Sequence, residues 1–287
     1  MSIEFETLRV RTEGAVLFAE ISAPPMNLLG TELVRDLVSL IQHAQGDAGV
    51  QVLVFASYDP DYFISHVDVT RINEYREQAA KLTGEPSIAM LFRYLSASRL
   101  VTIAQIEGRV RGAGSEFVLA CDMRFAAQES AIFSQPELGF GLIPGAGGIQ
   151  HLTRLMGGAR ALEVMLSADD YNADLAERYG WINRSLPAVA IGEFMRSLAH
   201  RIAGFPAAGR AVLKDRINAI ALAGRRFPSR FGSLRGTGAR PRDPAPDPDR
   251  DGARVPDTRW RNGTADNGWR PRRALIPRDG RRAREGS

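Results

Sequence analysis

Residues 107–150 read EGRVRGAGSEFVLACDMRFAAQESAIFSQPELGFGLIPGAGGIQ, and the rest of the chain is organised around them. The stretch holds two glycine-rich turns, Gly112-Ala113-Gly114 and Pro144-Gly145-Ala146-Gly147-Gly148, and two carboxylates, Glu116 and Glu137. Just before it, VTIAQI (101–106) is rich in β-branched residues and predicts a short buried strand. Residues 115–121 predict a helix. A strand, a tight glycine turn and a helix start gather free backbone N–H groups and a positive helix end at one point. Such a point suits a developing oxyanion.

Upstream, the β-rich runs 5–11 and 15–22 flank Glu13-Gly14, a hairpin signal. From Thr31, read as an N-cap, apolar residues recur at Leu33, Leu37, Leu40, Ile41 and Ala44, one face of a helix that ends at Gly46-Asp47. Residues 50–56 predict a buried strand, 59–68 a loop, and 69–81 and 88–98 two helices. Downstream, helices are expected over 149–156, 159–166 and 175–179, the last closed by Gly180, then over 191–202 and 207–223. The β-β-α order followed by a further strand invites comparison with a doubly wound dinucleotide-binding fold. That fold's fingerprint needs a third glycine at the sixth place, where Phe117 stands.

The 287 residues are 44% hydrophobic, enough for a full core. The single Cys121 excludes an internal disulfide, suits a reducing compartment and reads as a buried structural thiol. The first residues show no secretory signal and no apolar run approaches the ~20 residues that span a bilayer, so a cytoplasmic protein without membrane partners is expected. The pI near 9.6 is misleading, because the basic charge is concentrated at one end. Residues 225–287 carry 17 Arg against 8 Asp or Glu, while residues 1–224 carry 20 Lys or Arg against 25 Asp or Glu. Residues 1–224 therefore carry no basic excess that would point to nucleic acid. Eight of the 16 prolines also fall in 225–287, a tail whose composition predicts disorder. His43, His151 and His200 lie far apart and with Cys121 give no metal-ligand spacing. Ser115 lacks the flanking glycines of a nucleophile elbow.

Several runs, in order, resemble the enoyl-CoA hydratase/isomerase (crotonase) family over about residues 3–220. They are GAGSEFVLACD (112–122), FSQPELG (133–139) and IPGAGG (143–148), then LTRLMG (152–157) and ALEVML (161–166). Upstream, PPMNLL (24–29) and YFISHVD (62–68) continue the likeness. The resemblance implies an α/β fold, a crotonase-like spiral of β-β-α repeats over 1–188 followed by C-terminal helices over 189–224. It implies addition of water to a 2-enoyl-CoA thioester, with Glu116 and Glu137 holding and activating the water. The backbone N–H groups of Val67 and Ala113 would form the oxyanion hole. His66, Asp68, Gly112, Gly114, Pro136 and Gly145 would contact substrate. No metal and no separate cofactor are implied, since coenzyme A enters as part of the substrate, and a homotrimer or hexamer is the expected assembly. Relatives usually carry Gly and a small residue where this chain has His66 and Val67, and Gly where it has Ala113. Two alternatives stay open: an isomerase that needs a single glutamate, and a catalytically weak acyl-CoA-binding or assembly protein. Read without the resemblance, Glu116 is a helix-dipole carboxylate and Glu137 a solvated loop acid.

Overall fold

The computed structural model describes residues 4–221; the tail expected from residue 225 lies outside them. Strands β1 (Leu8–Glu13) and β2 (Val16–Ile21) form the expected hairpin, turned at Gly14 with φ +57°. Helix α1 (Thr31–Gly46), strands β3 (Val52–Ser57) and β4 (Tyr62–Ile64), and helices α2 (Ile72–Thr83) and α3 (Ile88–Ser96) follow. Next come β5 (Val101–Ile106), β6 (Arg109–Arg111), α4 (Ala113–Ala120), β7 (Met123–Ala127) and β8 (Ile132–Ser134). A single 3-10 turn (Glu137–Phe140) leads to α5 (Gly148–Met156), α6 (Gly158–Ser167), β9 (Tyr171–Asn172) and α7 (Ala173–Tyr179). Strand β10 (Arg184–Leu186) and helices α8 (Ala188–Ala203) and α9 (Ala207–Ala221) complete the described chain.

Two sheets carry the architecture. One runs β1-β2-β3-β5-β7-β10, parallel throughout except at the β1–β2 hairpin. The other runs β4-β6-β8-β9, parallel except at β8–β9. Each circuit of the chain lays one strand in the first sheet and the next in the second, as β3 then β4, β5 then β6, and β7 then β8. This is the expected spiral of β-β-α repeats. Strands β3 and β5 are nearly continuous apolar runs because both faces of the large sheet are covered. Leu33, Leu37, Leu40 and Ile41 of α1 pack in the main core, on the helical spacing read from the sequence. On the other face, Ile191, Met195 and Ala199 of α8 pack with Val16, Phe18, Val52, Val54, Ile103 and Phe125.

Several elements differ from their sequence reading. Thr31 is the first residue of α1 rather than its cap, which is Gly30; its hydroxyl turns instead to Glu74 Oε2 at 3.4 Å. The expected loop 59–68 contains β4, a strand of three residues and thus too short to show a period. Asn27 holds it in place. Almost fully buried and at φ +50°, Asn27 accepts from the Ala23 N–H at 2.7 Å and donates to the carbonyls of Tyr62 (3.0 Å) and Phe63 (3.2 Å). An asparagine tolerates this left-handed backbone better than most residues.

Helix α9 docks through polar side chains. Lys214 Nζ, nearly buried, donates to the Leu100 carbonyl at 2.6 Å and to Asp122 Oδ2 at 2.7 Å, while Asn218 reaches the Ser96 carbonyl at 3.0 Å. Asp122 also accepts from the Thr102 N–H at 2.8 Å, anchoring the start of β5. Cys121 is buried, and burial pushes its thiol up to about 12, as suits a packing residue. Among the described residues no helix is long and apolar enough to cross a membrane.

Candidate active site

The site forms where β6 meets α4. Gly112 takes φ +52° and ψ −125°, a backbone that a side chain would strain, and its N–H donates to the Ser134 carbonyl at 3.0 Å. Ala113 is the first residue of α4, so its N–H has no acceptor within the helix. Gly114 lies hard against β4: a Cβ there would meet the Ile64 carbonyl oxygen at 2.3 Å and the Ile64 Cβ at 2.8 Å. The absence of a side chain lets the helix start close on the strand that leads, three residues later, to Val67.

Val67 forms an isolated parallel bridge with Leu29. The Leu29 N–H donates to the His66 carbonyl at 2.9 Å and the Asp68 N–H donates to the Leu29 carbonyl at 3.2 Å. In such a bridge the N–H of the intervening residue, Val67, points away from the partner strand. Neither His66 nor Val67 has positive φ, so the branched Val67 side chain strains no backbone here. The His66 ring is exposed, with Nδ1 2.6 Å from the Val67 carbonyl oxygen. Asp68 turns back on its own loop, accepting from the Thr70 hydroxyl at 2.6 Å and N–H at 2.9 Å, which hold its carboxyl below the usual range.

Glu116 sits one turn into α4 and is 3% exposed. Its Oε1 accepts from the N–H groups of Ala146 at 2.7 Å and Gly148 at 2.8 Å, donated by the second glycine turn. Burial nevertheless pushes its carboxyl up to about 7, the two N–H donors pulling the other way and the nearby Glu137 charge adding to the rise. Glu137 opens the 3-10 turn behind Pro136, and its Oε1 lies 3.3 Å from where a Cβ on Gly112 would be. Its Oε2 is buried with no hydrogen-bond partner, and burial raises its carboxyl as well. The Pro136 ring also borders Gly112, 4.0 Å from that Cβ position. Gly112, Ala113, Glu116, Pro136 and Glu137 thus converge, with Gly114 packing the helix down. Gly145 is exposed, in the turn whose later N–H groups hold Glu116.

Two site neighbours escape a reading of the motifs alone. Gln135 is buried between the glycine turns, and two of its partners, Gly112 and Ser115, lie about twenty residues away in sequence, beyond the reach of any local pattern. His151 stands one turn into α5 with Cδ2 3.2 Å from the Cβ position of Gly147. Burial, with the charges of Arg124, Arg154 and Arg93, pushes its imidazole down to about 4, so it is neutral near pH 7. Among the described residues no three His, Cys, Asp or Glu side chains cluster as metal ligands would.

Residues 11–224 match the family model described as Enoyl-CoA hydratase/isomerase. The chain is 29% identical to the crotonyl-CoA hydratase of Syntrophomonas wolfei over 199 residues, 69% of this chain and 76% of that one. It is 26% identical to the short-chain-enoyl-CoA hydratase of Clostridium acetobutylicum over 217 residues, 75% of this chain and 82% of the other. A crystal structure from Streptomyces avermitilis, provisionally named an enoyl-CoA hydratase, is similar at 51% identity and a TM-score of 0.76, covering 78% of this chain and 81% of that one.

Proposed function

The chain belongs to the enoyl-CoA hydratase/isomerase family, and we propose that it adds water across the double bond of a 2-enoyl-CoA. What carries this reading is the pairing of Glu116 and Glu137 at one glycine turn. Isomerisation needs one proton-transferring carboxylate; hydration uses two. Charged Glu116 takes a proton from water as the oxygen bonds to the β-carbon. Electrons of the double bond move toward the thioester oxygen, which gains negative charge opposite the Ala113 and Val67 N–H groups. Glu137, protonated when substrate binds, delivers its proton to the α-carbon; the proton taken up by Glu116 then passes back to Glu137, so that one water is added, both carboxyls return to their starting states and nothing is oxidised. A preorganised N–H donor of this kind is typically worth ~3 kcal/mol of barrier. Coenzyme A belongs to the substrate, and no other cofactor enters. The testing experiment follows enoyl-CoA absorbance and 3-hydroxyacyl-CoA formation while acyl-CoA binding is measured in parallel. Turnover supports the reading; binding without turnover replaces it with an acyl-CoA-binding protein.

By the resemblance, Val67 is bulkier than the residue expected beside this N–H. Replacing His66-Val67 by Gly-Ala is therefore expected to raise kcat on a 2-enoyl-CoA. A sharp fall in the same steady-state assay would instead assign His66 or Val67 a positive role.

The assembly we infer is a closed homo-oligomer, a trimer or hexamer. Leu138, Phe140, Leu142 and Ile143 are 44%, 77%, 58% and 71% exposed directly after Glu137. A Cβ on Gly139 would lie 3.9 Å from the Cβ of Ala168, at the end of α6, which itself exposes Leu162 and Leu166. So many large apolar side chains on neighbouring elements call for a cover. Light scattering on a sizing column is expected to give an oligomer for the native chain and monomers for Phe140→Asp/Ile143→Asp. An oligomer unchanged by that pair would place the contact elsewhere.

A further inference from the structure

Gln135 stands two residues before Glu137 and is 1% exposed. One orientation of its amide suits the neighbours at both ends. In it the nitrogen donates to the Gly112 carbonyl and the Ser115 hydroxyl oxygen, each at 3.1 Å, with the Ser134 carbonyl at 3.3 Å. The amide also lies against the second glycine turn, where a Cβ on Gly148 would come within 2.5 Å of it. Gln135 is therefore wedged between the turn that opens α4 and the turn that holds Glu116.

The Gly112 carbonyl and the Ala113 N–H are the two ends of one planar peptide unit. That carbonyl already accepts from the Glu116 N–H at 3.0 Å, and the Gln135 amide occupies its other lone pair. Donation to a carbonyl draws electron density from the amide nitrogen and strengthens the N–H of the same unit as a donor. Two donors on one oxygen also fix the plane of the peptide and so the direction of its N–H.

We propose that Gln135 is a positioning residue that aims and polarises the Ala113 N–H toward the substrate's thioester oxygen. The proposal rests on the reading of Ala113 as an oxyanion donor. Gln135 acts through the peptide rather than by touching the thioester.

The test uses the full chain with a short saturated acyl-CoA, labelled with ¹³C at the thioester carbonyl, which can bind but cannot be hydrated. Infrared difference spectra read the carbonyl stretch, which moves to lower frequency as the hydrogen bonds to it strengthen. Gln135→Met keeps length and volume while removing the donor. It is expected to lose part of the native band shift and about tenfold in kcat on an enoyl-CoA, with KM little changed. Gln135→Glu can donate only when protonated, so its band shift should return as the pH falls. A side chain that merely fills space would give neither the lost shift nor its pH-dependent return. A native band shift and kcat in Gln135→Met overturn the proposal. If that variant does not fold, a pH-independent band in Gln135→Glu overturns it equally. If the native chain binds the acyl-CoA without any carbonyl shift, the Ala113 reading has itself failed and takes the proposal with it. A native shift that survives substitution sinks only the role of Gln135.

Discussion

Glu116→Gln and Glu137→Gln are each expected to lower kcat on a 2-enoyl-CoA by at least ~100-fold, the lower end of what general acid–base catalysis contributes. Glutamine keeps the size of the side chain and, at Glu116, an oxygen for the N–H groups of Ala146 and Gly148. Proton exchange is what disappears. The double variant should lose far less than the product of the two single losses, because the pair acts on one water. Acyl-CoA affinity should hardly change. The pH profile carries its own sign. Glu116 must be charged to accept a proton, and burial has pushed it up to about 7, so kcat should fall as the pH drops through that value. A harmless Glu137→Gln beside an inactive Glu116→Gln would make isomerisation the better reading. If neither substitution matters, the chain is not this enzyme.

Gly114→Ala is expected to be as damaging, for a mechanical reason. Its Cβ would fall 2.3 Å from a backbone carbonyl oxygen, that of Ile64, which cannot swing aside as a side-chain tip can. Overpacking of this kind costs ~1–3 kcal/mol of stability. The greater loss is geometric, because α4 must lift from β4, and Ala113 moves with the helix while Val67 stays with the strand. A misplacement of ~1 Å between groups that act together can cost ~100-fold in rate. Gly209→Ala, in α9 with nothing within 4 Å of the added carbon, is the matched control. Such a change in a helix should, if anything, stabilise slightly. Unfolding curves and kcat on both variants check the contrast; a fully active Gly114→Ala would show that the two N–H groups do not work as a pair.

What could be read from the sequence follows how far each signal reaches. Strands β3 (VLVFAS) and β5 (VTIAQI) were legible because short runs dominated by β-branched and apolar residues state their burial without help. The α1, α5 and α8 spacings were legible for the same reason, the period of a helix being local. Strands β4, β6 and β8 are three residues each, too short for any period, and only the resemblance implied them. Helix α4 starts two residues before the expected 115 because Ala113 and Gly114 are already helical. Glycine weakens a helix by its own propensity, but here the close approach to Ile64 decides. In the site, the acid pair could be picked out from spaced motifs. Gln135 and Asn27 could not, since each is defined by carbonyls that only the folded chain brings near.

Strands β4, β6 and β8 lie side by side, and each runs straight into one part of the site. The first leads to Val67, the second to Gly112 and Ala113, the third to Pro136 and Glu137. Neighbouring strands in a sheet stand ~4.8 Å apart, a distance set by main-chain hydrogen bonds and indifferent to side chains. The sheet therefore serves as a ruler, with graduations that no substitution at the surface of the site can move. Changing a residue at a strand end alters what is offered at one graduation and leaves the interval to the next intact. A chain built this way can exchange the group at each mark, and so its chemistry, while holding an acyl thioester to the same measure.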